Sequence, residues 1–146
     1  VGDSLNPAID IGQIEGGFVQ GMGWLTTEEL KWNEEGRLLT DGPATYKIPA
    51  ISDVPDGAIT VRLLEGHPNS AASIYRSKAV GEPPFMLAIS VWAALRDALA
   101  SLTDYRRAVR LDTPATPERV MLAAREQRDW REQHATAGAE PTQVPS

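Results

Sequence analysis

Glu82 is the residue whose type and setting most clearly suggest chemistry. It stands in Ser77-Lys78-Ala79-Val80-Gly81-Glu82-Pro83-Pro84, directly before the apolar run 85–95, and is the only acidic residue between Glu65 and Asp97. A lone carboxylate held between a glycine and a diproline suits general acid–base work, provided it reaches the proton it must move. Equally, it can be a decorated helix N-terminus. A second polar set lies in Gly12-Gln13-Ile14-Glu15-Gly16-Gly17-Phe18-Val19-Gln20-Gly21, where the glutamine amides can both donate and accept. Metal-ligating and thiol chemistry is largely excluded. The chain has no cysteine, and its two histidines, His67 and His134, are far apart with no ligand spacing around them.

Positioning these groups falls to the elements around them. Pro84 has no N–H to lose and a fixed φ suited to a first helical turn, so a helix is expected from Pro83 or Pro84 through residue 101. The residue before a proline is pushed toward extended backbone, which places Glu82 outside that helix. First-turn N–H groups and the helix dipole favour its charged form, and burial opposes it. The helix is apolar nearly all round over residues 85–95, apart from Ser90, so its first three turns are expected to be buried and its last to surface. Gly81 removes a side chain next to the carboxylate, which permits a positive φ or leaves room for a ligand against the backbone, and Lys78 is near enough in sequence to face the carboxylate or that ligand.

Residues 12–25 form the other positioning element. Ile14, Phe18 and Met22 recur at helical spacing, with Val19 beside them. The interleaved glycines cost a helix roughly 1 kcal/mol each relative to alanine, so tertiary packing must hold it. Close approach to another element or to a cofactor is the reading. The glycine order is neither a dinucleotide fingerprint nor a phosphate loop.

The chain has 146 residues, 42% hydrophobic and 23% charged, which is ordinary globular composition. Its formal net charge of −6 and the lack of a basic run argue against a nucleic-acid surface. No segment reads as apolar and long enough to cross a bilayer, so no membrane role is expected.

Residues 1–7 read as a polar loop and 8–11 as a short strand or an extended lead-in. Residues 26–41 read as a hairpin about Asn33-Glu34-Glu35-Gly36, and 41–54 as an irregular segment carrying Gly42-Pro43 and Ile48-Pro49. Pro55-Asp56-Gly57 makes a turn, and the alternation of Ile59, Val61 and Leu63 predicts a strand over 58–64. Ile74-Tyr75 reads as a short extended piece, and 103–111 as a turn and a short strand. Thr116-Pro117-Glu118 gives an N-cap, a proline at the first helical position and an acidic first turn, starting a helix that runs to about His134. The fold expected is therefore α+β: helices mixed with short antiparallel strands. Residues 1–134 form the domain, and 135–146 a polar, disordered tail.

Three ordered motifs together carry a resemblance: Gly12-Gln13-Ile14-Glu15-Gly16-Gly17-Phe18-Val19-Gln20-Gly21, then Gly42-Pro43-Ala44-Thr45-Tyr46-Lys47-Ile48-Pro49, then Ser77 to Pro84. Over about residues 8–124 the chain resembles the C-terminal part of the molybdopterin-binding subunit or domain of the xanthine dehydrogenases, within the molybdenum hydroxylases that include aldehyde oxidase. The resemblance implies that Glu82 is the catalytic base. It would take the proton from a molybdenum-bound hydroxide as oxygen attacks an electron-poor purine carbon and hydride passes to a sulfido ligand. Gln13 would then hydrogen-bond near molybdopterin, and Gly81 would lie beside the metal centre, with no protein ligand to the metal.

The resemblance further implies a cytoplasmic enzyme that oxidises hypoxanthine and xanthine to urate, with 2Fe-2S clusters, FAD and NAD served by other domains or subunits. The residues that orient the purine and hold most of the pterin belong to segments not found in this sequence. The chain thus reads as a C-terminal piece, inactive alone and binding no cofactor by itself. A structural or self-associating module, or part of an aldehyde oxidase-like enzyme, is the alternative.

Overall fold

The computed structural model describes residues 1–54 and 57–135. Pro55 and Asp56 of the expected turn, and the tail beyond residue 135, lie outside these.

Helix α1 runs Pro7–Thr26. Asn6 caps it: its backbone is extended, at φ −151° and ψ 97°, and its side-chain oxygen accepts from the Ile9 N–H at 3.3 Å. Pro7 fills a first-turn position where a missing N–H costs nothing. Residues 8–11 are accordingly helical, contrary to the strand or lead-in expected there. The buried face of α1 is made of glycines, namely Gly17, Gly21 and Gly23.

Against that face lies a 3-10 turn, Pro83–Ala88, continuing into α2, Ile89–Ser101. A Cβ on Gly17 would stand 3.2 Å from Pro84 Cβ and 3.3 Å from both Gly81 O and Phe85 N. At Gly21 it would collide with Phe85 O and press on Ala88 Cβ at 2.8 Å. Glycine is required here so that two backbones can touch, which explains why so glycine-rich a segment is helical at all. Trp24 closes the seam edge-on to Phe85, with ring centroids 4.9 Å apart.

The other end of α2 enters a small core with α3, Pro117–His134. Leu99 packs with Val109, Leu111, Ala115 and Ala123. Two buried polar side chains cross this core. Thr103 Oγ1 lies 3.2 Å from Gln127 Oε1, and Gln127 Nε2 donates to Ala108 O at 3.3 Å. Thr116 caps α3 by accepting from Arg119 N, with Pro117 next, as the sequence predicts. The Ala115 N–H donates to Leu25 O at 2.6 Å, and Arg119 Nη2 meets Glu29 Oε1 at 3.3 Å, so α3 is tied back to the end of α1.

The α+β expectation is wrong. The described residues contain helices and short 3-10 turns, but no strand and no sheet, only two isolated antiparallel bridges, Gly2 with Ser77 and Trp32 with Leu38. The 26–41 hairpin survives as a turn: Gly36 N donates to Asn33 O and Leu39 N to Lys31 O, but pairing stops at a single bridge. Residues 58–64 keep their alternation, with Ile59, Val61 and Leu63 half-buried and their neighbours exposed, and have no partner strand. Ile74–Arg76 is a 3-10 turn, with Tyr75 and Arg76 at left-handed φ of 50° and 58°. Residues 103–111 supply Val109 and Leu111 to the core without forming a strand.

The burial gradient along Pro83–Ser101 is reversed as well. Met86, Leu87 and Ile89 are 57%, 56% and 49% exposed, whereas Leu99 near the far end is 4% exposed. One side of the apolar run packs on the α1 seam, Trp92 and Leu95 pack against the core with α3, and Met86, Leu87 and Ile89 are left uncovered. Pro83–Ser101 is also long and apolar enough to pass for a bilayer span, at 19 residues and mean hydropathy 1.2, contrary to the sequence expectation. Its contacts with α1 and α3 make it a packing element of this fold.

Candidate functional site

The seam places the candidate residues. Because Gly17 and Gly21 let the Pro83–Ala88 turn lie directly on α1, the residues just before that turn come level with the preceding helical turns of α1. Gln13 Oε1 is 3.4 Å from where a Cβ on Gly81 would stand, and Glu82 is the next residue. Gln13, Gly81 and Glu82, remote in sequence, thus share one exposed ledge at the end of the seam.

Glu82 differs locally from the expectation. Its backbone is helical, at φ −85° and ψ −38°, not extended. The reason lies in its carbonyl, which accepts from Phe85 N at 3.1 Å and so begins the 3-10 turn. Its side chain makes no capping bond. Pro83 and Pro84 supply no N–H groups and the Phe85 N–H is taken by the Glu82 carbonyl, which accounts for the uncapped side chain. The carboxylate faces outward, available to a group brought from outside this chain. Lys78 is exposed, and its N–H donates to Val1 O at 2.8 Å.

Upstream, the chain is knotted. Ser73 Oγ donates to Ser77 O at 2.7 Å, Asn69 Nδ2 donates to Ser73 Oγ at 3.0 Å, and Arg76 O accepts from both Asn69 N and Asp3 N. Gly2, at φ 64°, allows the N-terminus to lie against Arg76 and Ser77. The segment leading to Glu82 is thereby anchored, which sequence reasoning missed; the Asn-Ser-Ser spacing was its only signal.

The flank of α1 carries a separate cleft of about 550 Å³, lined by Glu15, Gly16 and Val19 on one side and Pro49, Ile51 and Ile59 on the other. Neither Gln13 nor Glu82 lines it. The middle motif sits beside the helix end. Pro49 presses on Gly23, and the Tyr46 hydroxyl donates to Glu28 Oε2 at 2.5 Å. That hydrogen bond raises the Tyr46 pKa, with smaller contributions from burial and from the Glu28 charge. Among the described residues no cluster of His, Asp or Glu is placed to hold a metal ion.

Comparison with known proteins agrees with this architecture. Residues 1–55 match the molybdopterin cofactor-binding domain. Xanthine dehydrogenase 1 of Arabidopsis thaliana is 52% identical over 136 residues, covering 84% of this chain and 10% of that protein. Xanthine dehydrogenase/oxidase of Gallus gallus is 57% identical over 126 residues, covering 84% of this chain and 9% of its own length. Among solved structures, quinoline 2-oxidoreductase from Pseudomonas putida 86 superposes with a TM-score of 0.72 at 38% identity, over 86% of this chain and 15% of that one. A Cu,Mo-CO dehydrogenase shares the fold, with a TM-score of 0.63 at 23% identity. Over most of its length the chain is homologous to the xanthine dehydrogenase and molybdopterin-binding domain family. It spans about a tenth of the length of the curated relatives it matches.

Proposed function

We propose that this chain is the part of a cytoplasmic molybdenum hydroxylase that carries its catalytic base, and that the complete enzyme oxidises hypoxanthine and xanthine to urate. The observation that supports this most is the meeting of Gln13 with Gly81 immediately before Glu82. These three residues match the family motifs and come from two distant stretches of sequence.

The residues suit a pterin–metal group that approaches the ledge from outside. The Gln13 amide is exposed and can both donate and accept, and Gly81 keeps the space beside it clear of a side chain. When bound, molybdenum–molybdopterin would supply the two-electron oxidant that takes up the hydride of the purine C–H bond. Glu82 then accepts the proton lost by the oxygen nucleophile as that oxygen bonds to the electron-poor purine carbon. An outward carboxylate with no side-chain partner among the described residues is placed to make that contact. Its anchoring at the head of a packed turn, braced by the 69–77 knot, fixes where the proton goes. The substrate-orienting residues, and the 2Fe-2S, FAD and NAD sites, belong to other domains or subunits. The isolated chain turns nothing over.

Glu82→Gln in the complete enzyme tests the role. Molybdenum and pterin content should be unchanged, while xanthine oxidation falls by at least about 100-fold, the scale of a lost general base. Normal turnover would remove Glu82 from the mechanism.

A further inference from the structure

Residues 58–64 carry the pattern of a strand without a sheet. Ile59, Val61 and Leu63 turn inward, and the chain runs past Ile14 and Phe18 toward Ile11 and Pro7 along the flank of α1. Thr60, Arg62 and Leu64 face out, Leu64 being 72% exposed. Among the described residues, none of the backbone N–H or C=O groups of 58–64 pairs with another backbone group. A half-buried row of β-branched and leucine side chains beside open backbone groups is an edge prepared for strand addition.

We infer that residues 58–64 are one strand of a sheet completed by an extended segment from the remaining length of the same polypeptide. The occupant is backbone of alternating apolar and polar character, its apolar row continuing that of Ile59, Val61 and Leu63. The length outside this chain supports that source over a second copy, since the matched relatives hold about nine-tenths of their sequence elsewhere. The inference does not depend on Glu82 or on any catalytic role.

Backbone amide hydrogen exchange tests it, on this chain alone and on this sequence grafted in place of the matching stretch of the Gallus gallus protein. Amides of 58–64 should exchange nearly freely in the isolated chain, while alternate amides slow on the order of 100-fold in the graft, as for a locally protected element. Free exchange of all of them in a graft whose α1 amides are protected would overturn the inference. Protection in the isolated chain that rises with concentration, alongside a dimeric mass, would also overturn it, by making a second copy the occupant. Should the graft fail to fold, the unmodified Gallus gallus enzyme decides the matter. Free exchange across the stretch matching 58–64 refutes the strand, and protection upholds it.

Discussion

Gly16 and Gly21 sit on the same helix and should respond oppositely to alanine. A Cβ on Gly16 meets nothing within 4 Å, so Gly16→Ala removes only the entropic handicap of glycine and should stabilise the chain by up to about 1 kcal/mol. At Gly21 the same methyl meets the Phe85 carbonyl and Ala88, so Gly21→Ala should cost about 1–3 kcal/mol or more through displaced backbone. Urea unfolding of both variants checks the pair. Tyr46 gives a pH prediction. Its phenol is bound to the Glu28 carboxylate and its folded pKa is raised, so the linkage stabilises the fold below the unfolded tyrosine value near 10. That contribution is lost as pH climbs through the higher folded value. Stability measured from pH 9 to 12 should therefore fall more steeply in the parent than in Tyr46→Phe. The phenol is only partly buried, so the difference will be small.

At the scale of elements, α3 is held by a polar crossing as well as by apolar packing. Gln127→Leu keeps the volume yet strips Ala108 O of its donor and Thr103 of its buried neighbour, and should cost about 1–3 kcal/mol. Arg128→Ala on the exposed face should stay within about 0.5 kcal/mol, and thermal melts compare the two. Elements of this kind were unevenly legible in the sequence. Thr116-Pro117 announced α3, and Asn6-Pro7 carries the same cap-and-proline signal, yet the polar surroundings of residues 1–7 masked it. Alternation placed Ile59, Val61 and Leu63 on one face but could not reveal the missing partner strand. The apolar run 85–95 was read as buried because composition reports what can be covered, not what covers it within one chain. Gln13 and Gly81 meet through a seam that local rules foresee only as close packing by glycines. Their pairing with Glu82 was visible through family resemblance alone.

The whole molecule leaves much of its apolar surface open. Ile51 is 94% exposed, Ile74 78%, Tyr75 76% and Leu64 72%, and Met86 and Leu87 of the Pro83–Ala88 turn are more than half exposed. Large apolar side chains left this open are available for contact with other protein. The isolated chain should bind an apolar dye such as ANS strongly and sediment as a mixture of sizes, and the same residues in the complete enzyme should not bind the dye. A monodisperse, dye-silent isolated chain would contradict this account of the uncovered surface.

The glycine seam also dictates when the ledge can come into being during folding. Helix α1 is too glycine-rich to persist by itself, and its mate at Pro83–Ala88 arrives only after the long irregular stretch between them has closed into a loop. Gln13 and Gly81 therefore have no local precursor of their contact, and long-range closures of this sort are slow relative to helix formation. Helix α3 and its core with α2 can assemble from neighbouring sequence first. Glu82 is therefore expected to reach its place on the ledge late in the chain's own ordering, with amide protection appearing in α2 and α3 before α1.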